Sequence, residues 1–228
     1  MTVLKELSRY DRKVLPNGAT LLVRQETEAP YATFRARIGY GHCHDPTELD
    51  GTAHFAEHMF FKSNQKYSAG KLERELQWLT GMDSNAWTGQ EEIYTELYLM
   101  PTENLEKVMD IIAYAIYNPH VKPEEFEKER LIVLNELREL GKFQNYLKKS
   151  VFGTLYADHP YGSRFGDNVR TISMLKSEQL DRIRTTYFGG PNLIVVLAGD
   201  VKDQHVRVAE DIFGSRNAEK PVELPEVN

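Results

Sequence analysis

The chain has 228 residues, 41% hydrophobic and 11% aromatic, which is enough apolar material to bury one substantial core. A net charge of −6 with no basic run or stripe argues against nucleic acid as the main partner. A single cysteine excludes an internal disulfide and fits a reducing compartment. Met1-Thr2-Val3-Leu4-Lys5-Glu6 lacks the apolar run of a secretory signal, and no stretch is long enough to cross a membrane. The expected location is therefore cytoplasmic, with no membrane partner.

In chain order, Leu15-Pro16-Asn17-Gly18 forms a turn, and residues 19–24 and 32–38 read as a pair of antiparallel strands. Residues 39–50 form a loop. A helix starts at about Gly51, a polar loop over 63–67 interrupts, and residues 69–79 form an amphipathic helix ended at Gly81. Residues 84–88 and 93–99 make a hairpin around Gly89-Gln90. Helices then cover 102–118, 123 to about 143, and 146–156. A Gly- and Pro-marked loop at 159–166 leads to a helix over 177–187, an apolar strand over 193–198 and a last helix over 204–213. Residues 215–228, polar with two prolines and no periodicity, read as a flexible tail or interdomain linker. The mixture of helices and strands is of the α+β class, in one domain.

His54-Phe55-Ala56-Glu57-His58 carries the chemistry. On a helix, side chains at i and i+4 share a face, so His54 and His58 can ligate one zinc ion while Glu57 reaches its bound water. The alternative is a surface helix with two solvated histidines. Ala53, Phe55, Ala56, Met59, Phe60 and Phe61 weigh against it, because they set the imidazoles against a core where polar groups need partners.

A catalytic zinc takes three protein ligands and keeps a fourth position open, so a third donor must come from elsewhere. Pro123 opens a helix with acidic residues in its first turn, where the dipole favours them. On it, Glu129 and Glu136 stand two turns apart, on a stripe with Ile132, Val133 and Leu140. Either can instead pair with Arg130 or Arg138. Beside a zinc motif lacking a ligand, the metal is the better reading.

With these residues in place, the chain resembles the zinc metallopeptidases of the pitrilysin, insulin-degrading enzyme and processing-peptidase β family, the inverzincins, whose glutamate precedes the second histidine. His54, Glu57 and His58 match the inverted motif, Glu136 the distal ligand, and Glu129 a second acidic residue seven positions earlier. Asn85-Ala86-Trp87-Thr88 is similar to the family's Asn-Ala-x-Thr strand, and His159-Pro160-Tyr161-Gly162 to a segment downstream. The likeness runs from Leu15-Pro16-Asn17-Gly18 to Val196-Leu197-Ala198-Gly199-Asp200. Ser63-Asn64 departs from the usual Gly-Thr, and Cys43 sits in a loop usually written differently.

The resemblance implies a mixed, largely antiparallel sheet covered by helices, and a metallopeptidase domain over residues 1–214. It implies one Zn2+ held by His54, His58 and Glu136, with Glu57 as general base and Glu129 as a supporting carboxylate. Asn85 and Ala86 would bind an extended peptide substrate at a sheet edge. Trp87 itself reads as a core residue. Full enzymes of the family complete the site with an arginine and a tyrosine from a second homologous half, so this N-terminal half implies a partner subunit or a homodimer.

Two other readings stand beside the zinc endopeptidase. One is a non-catalytic assembly subunit of a processing-peptidase-like complex. The other is a metalloenzyme like the S-ribosylhomocysteine lyases, to which Cys43 invites comparison. His42 and His44 flank that cysteine and read as solvated or hydrogen-bonded; His120 and His205 read as structural or surface residues, and His159 as lying near the cleft.

Overall fold

The computed structural model describes residues 9–226 apart from 27, 29, 63–65, 69, 84, 119–121, 140 and 141. The readings made above for Met1 to Glu6, Ser63-Asn64, His120 and Leu140 fall outside the described residues.

Six strands form one mixed sheet: β1 (Asp11–Val14), β2 (Thr20–Gln25), β3 (Tyr31–Ile38), β4 (Ala86–Thr88), β5 (Ile93–Pro101) and β6 (Leu193–Gly199), in the order β1-β2-β6-β3-β5-β4. Only β2 and β6 run parallel; the other neighbours are antiparallel. β2 and β3 therefore do not pair with each other, correcting the expectation drawn from their proximity in sequence. β6 lies between them, with Thr20 opposite Ile194 on one side and Ile38 opposite Leu193 on the other. Its run Leu-Ile-Val-Val-Leu-Ala is apolar at every position, which suits the centre of a sheet better than an edge. β1, exposed along its whole length, shows no alternation by which to read it.

Alternation elsewhere directs one face of the sheet into the core. Ala32, Phe34, Ala36 and Ile38 of β3 are buried, as are Ile93 and Leu97 of β5. Helix α3 (Leu105–Tyr117) crosses that region with Leu105, Val108, Met109, Ile112 and Ile116 buried. Helix α9 (Asp203–Phe213) packs against α3, with the Phe213 ring 5.9 Å from Phe34 and the Tyr117 hydroxyl donating to the Phe213 carbonyl at 2.9 Å.

The remaining helices are α1 (Thr52–His58), α2 (Lys71–Thr80), α4 (Pro123–Glu139), α5 (Lys142–Leu155), α6 (Pro160–Ser163), α7 (Val169–Met174) and α8 (Ser177–Tyr187). Phe143 belongs to α5, not to the end of α4. α6 occupies part of what reads as a loop, because its one turn is too short to show a period. α7 starts where the Asn168 side chain accepts from the Thr171 amide at 3.2 Å. Among the described residues no helix is long and apolar enough to cross a membrane.

Residues 215–226 form neither helix nor strand. They run along the body, held where Asn17 Nδ2 donates to the Arg216 carbonyl (2.7 Å), the Lys220 amide to the Thr186 carbonyl (3.1 Å), and the Val222 amide to Asn192 Oδ1 (2.7 Å).

Candidate metal centre and cleft

Helix α1 is short, and its start is built from outside. Gly51, at φ +102°, turns the chain into it in a left-handed conformation that strains any residue with a Cβ. The buried Asp45 carboxylate accepts from the Gly51 amide at 2.9 Å, the Ala53 amide at 3.0 Å and the Tyr40 hydroxyl at 3.1 Å. These bonds anchor the segment that presents the histidines.

Asp45→Ala strands two buried amides and a hydroxyl, each costing about 1–3 kcal/mol. The expected result is a loss of about 3 kcal/mol or more, read as a fall of roughly 6–12 °C in melting temperature for a chain of this size. Burial also pushes the Asp45 carboxyl up to about 7, against the pull of its three donors. A folded-state value above the unfolded one gives stability that is full below about pH 4 and is lost as pH rises through 7. Asp45→Asn is expected to flatten that slope in melting curves taken from pH 4 to 8.

His54 and His58 project from one face of α1, their rings 4.8 Å apart between centroids. α4 brings Glu136 to them. His58 Nε2 lies 3.2 Å from His54 Nε2 and 3.2 Å from Glu136 Oε2, and His54 Nε2 lies 3.8 Å from the same oxygen. Bonds of 2.0–2.1 Å from one tetrahedral ion put neighbouring ligand atoms about 3.3 Å apart, so the three atoms fit a single zinc-sized ion. Among the described residues these three form the group of ligating side chains able to hold a metal. Burial, and then the His58 charge, lower the His54 pKa to about 4, which keeps its ring neutral and its lone pair free for a cation.

Glu129 lies two turns before Glu136 on α4 and does a different job. Its buried carboxylate meets His58 Nδ1 at 2.9 Å and Lys62 Nζ at 3.4 Å. Burial works to raise its pKa, but the bond from His58 and the Lys62 charge prevail and hold it below the usual carboxylate range. Burial likewise works against protonated His58, and is outweighed by Glu129, Glu136 and Glu57. Neither glutamate uses the arginine alternative, since Arg130 pairs with Glu127 and donates to the Leu175 carbonyl. Ile132, expected on the inward stripe, is exposed; Val133 takes the buried position together with Phe126. Glu136 itself remains about half exposed, so the stripe turns towards solvent at its C-terminal end.

Glu57 opens into a cavity of about 280 Å³, with His54 beside it and Ala86 and Thr88 of β4 along one wall. The Thr88 hydroxyl donates to Glu57 Oε2 at 2.7 Å. Burial nevertheless raises the Glu57 pKa, the direction a proton acceptor working near neutrality requires. Among the described residues β4 is the last strand of the sheet and pairs only with β5. The Ala86 amide donates to Asn85 Oδ1 at 3.0 Å, while the Asn85 carbonyl accepts from the Thr95 hydroxyl. Trp87, expected in the core, stacks instead on Tyr94 and is 39% exposed, because it points to the open side of the sheet.

Two neighbours of the site, His42 and Lys62, carry no sequence signal of their own, whereas Thr88 belongs to the Asn85-Ala86-Trp87-Thr88 segment. His42, in a 3₁₀ turn over His42–His44, is buried against Gly166, where an added Cβ would lie 2.2 Å from the ring. Burial, then His54, lowers its pKa to about 3. Lys62 and Thr88 reach the glutamates only through the fold. His44 accepts from the Gly41 amide at 3.0 Å, His205 from the Lys202 amide at 3.1 Å, and His159 from the Tyr161 amide at 3.2 Å, so all three are hydrogen-bonded. Burial pushes the Cys43 thiol up to about 12, which disfavours a reactive thiolate and the lyase comparison with it.

The chain is 30% identical over 198 residues to the human mitochondrial-processing peptidase subunit beta, covering 82% of this chain and 38% of that protein. It is 25% identical over 207 residues to an uncharacterized zinc protease of Mycobacterium leprae, covering 90% of this chain and 46% of that one. Its fold matches the first half of the periplasmic protease PqqL from Escherichia coli with a TM-score of 0.84 at 20% identity, covering 95% of this chain and 48% of that structure. The chain thus spans less than half the length of these relatives. Residues 20–167, which hold every side chain of the centre, match the family described as insulinase, peptidase family M16. With six strands and the surrounding helices arranged as in one half of such a protease, this chain belongs to the M16 peptidase family.

Proposed function

We propose that the chain is the metal-bearing catalytic half of a zinc-dependent endopeptidase acting on peptides or unfolded segments. The observation that carries this reading is the convergence of His54, His58 and Glu136 from two distant helices, next to a cleft into which Glu57 opens. When bound there, zinc supplies Lewis-acid polarisation of a carbonyl and acidification of a water. Glu57, steadied through Oε2 by Thr88, accepts the attacking water's proton and returns it to the departing amine. Glu129 fixes the orientation of His58 by accepting from Nδ1.

An extended peptide adds to the free edge of β4 beside Asn85 and Ala86. Backbone bonds of this kind hold it over Glu57 whatever its sequence. The second half or subunit, or a second copy of the chain, supplies an arginine and a tyrosine that steady the substrate carbonyl. The short span of the chain against its relatives supports that requirement.

The test combines metal analysis with chelator-sensitive cleavage of a quenched peptide, for the chain alone and mixed with proteins that co-purify with it. Cleavage that needs both metal and partner is the expected result. Bound metal without cleavage in any mixture would assign the chain to an assembly role instead. Glu129→Gln is expected to weaken zinc affinity about 10–100-fold, measured by chelator competition, while leaving the three ligands in place.

A further inference from the structure

Helix α5 contributes to the lining of the cleft together with β4, and its composition differs from that of the chain. Over Lys142–Leu155 it has three lysines and no acidic residue, in a protein of net charge −6. Two of those lysines, Lys148 and Lys149, line the cavity with Phe165, Asp167, Glu57 and Trp87. Lys149 is neutralised by Asp167, its Nζ 2.7 Å from Oδ2. Lys148 is exposed, its ammonium 6.0 Å from the Phe165 ring centre, and among the described residues no carboxylate pairs with it. Glu57, the other acid of the cleft, is engaged by Thr88.

The cavity is short. A volume of 280 Å³ corresponds to a width of about 8 Å, or two to three residues of extended strand at about 3.3 Å each. A peptide laid along β4 with its scissile carbonyl at Glu57 therefore directs a side chain near the cut towards Lys148. Phe165 is among the residues that line this space.

We infer that the cleft contains a subsite for an acidic side chain, Asp or Glu, within two residues of the scissile bond, with Lys148 as its counter-ion. This rests on the endopeptidase reading above and names a substrate class for the same site. An exposed lysine yields a modest, salt-sensitive preference, about three- to fivefold for Glu over Gln.

The experiment uses the full chain with its partner and three quenched peptides that differ only by Glu, Gln or Lys, scanned across the two positions on either side of the cut. At one position the wild type is expected to cleave the Glu peptide about three- to fivefold better than the Gln peptide. Lys148→Arg keeps that ratio, Lys148→Met brings it to one, and Lys148→Glu transfers the preference to Lys. Ratios equal to one in the wild type at all four positions, or a wild-type preference that Lys148→Glu leaves unchanged, would overturn the subsite. If no peptide is cut, the endopeptidase reading fails separately, and binding of the same fluorescent peptides to the full chain carrying Glu57→Gln decides the subsite. Charge-dependent binding that reverses with Lys148→Glu upholds it, and equal binding of all three removes it.

Discussion

Glu57→Gln is expected to abolish peptide hydrolysis while one metal ion per chain is retained. The amide keeps the size of the carboxylate and can still accept from Thr88, which at 2.7 Å is the contact that orients the side chain. What it loses is the ability to take a proton. General-base catalysis contributes about 10²–10⁴-fold, so turnover should fall by at least that range with little change in peptide affinity. Glu57 ligates nothing in the His54, His58 and Glu136 group, so zinc titration and melting temperature should match the wild type. Undiminished turnover in a metal-loaded variant would remove Glu57 from the reaction.

Glu136→Gln is expected to give the opposite pattern, with metal lost and the fold kept. Its Oε2 is one vertex of the triangle with sides of 3.2, 3.2 and 3.8 Å, and an amide oxygen is a much weaker, uncharged donor. The side chain is 47% exposed, so the apo protein should melt within about 0.5 kcal/mol of wild type, as surface substitutions generally do. Zinc affinity should drop by more than about 100-fold, beyond the 10–100-fold range of groups that only support a ligand. Setting Glu136→Gln beside Glu129→Gln thus separates a ligand from its support. Unchanged zinc content in the Glu136 variant would place the third donor elsewhere.

Much of the centre was legible in sequence because its logic is local. His54 and His58 share a face by helical spacing alone, and Glu129 and Glu136 share one by two turns. The long helices could be read for the same reason, from residues 177–187 to the proline-opened α4. What escaped depends on neighbours far along the chain. Lys62 joins Glu129, and His42 packs under Gly166, only after the loops fold back. Ile132 lies beside Leu131 and Val133 in an apolar run yet faces solvent, because α4 lays Phe126 and Val133 against the core instead. Trp87 shows the same limit: a large aromatic in a strand reads as core, but on a sheet with one open face half of such positions point outward. The pairing of β2 with β3 failed because adjacency in sequence says nothing about a strand that arrives later.

That late strand has a consequence for how the molecule reaches its native state. β6 fills the gap between β2 and β3, with residues from the end of the domain opposite residues near its start. Until it emerges from the ribosome, two hydrogen-bonding edges stay bare and the sheet exists as separate pieces. Long-range closure of this kind is slow, and open edges invite pairing with other nascent chains. A truncation stopping at residue 167 would keep every side chain of the metal centre and yet leave the scaffold beneath it split, so the smallest fragment worth expressing must extend through α9.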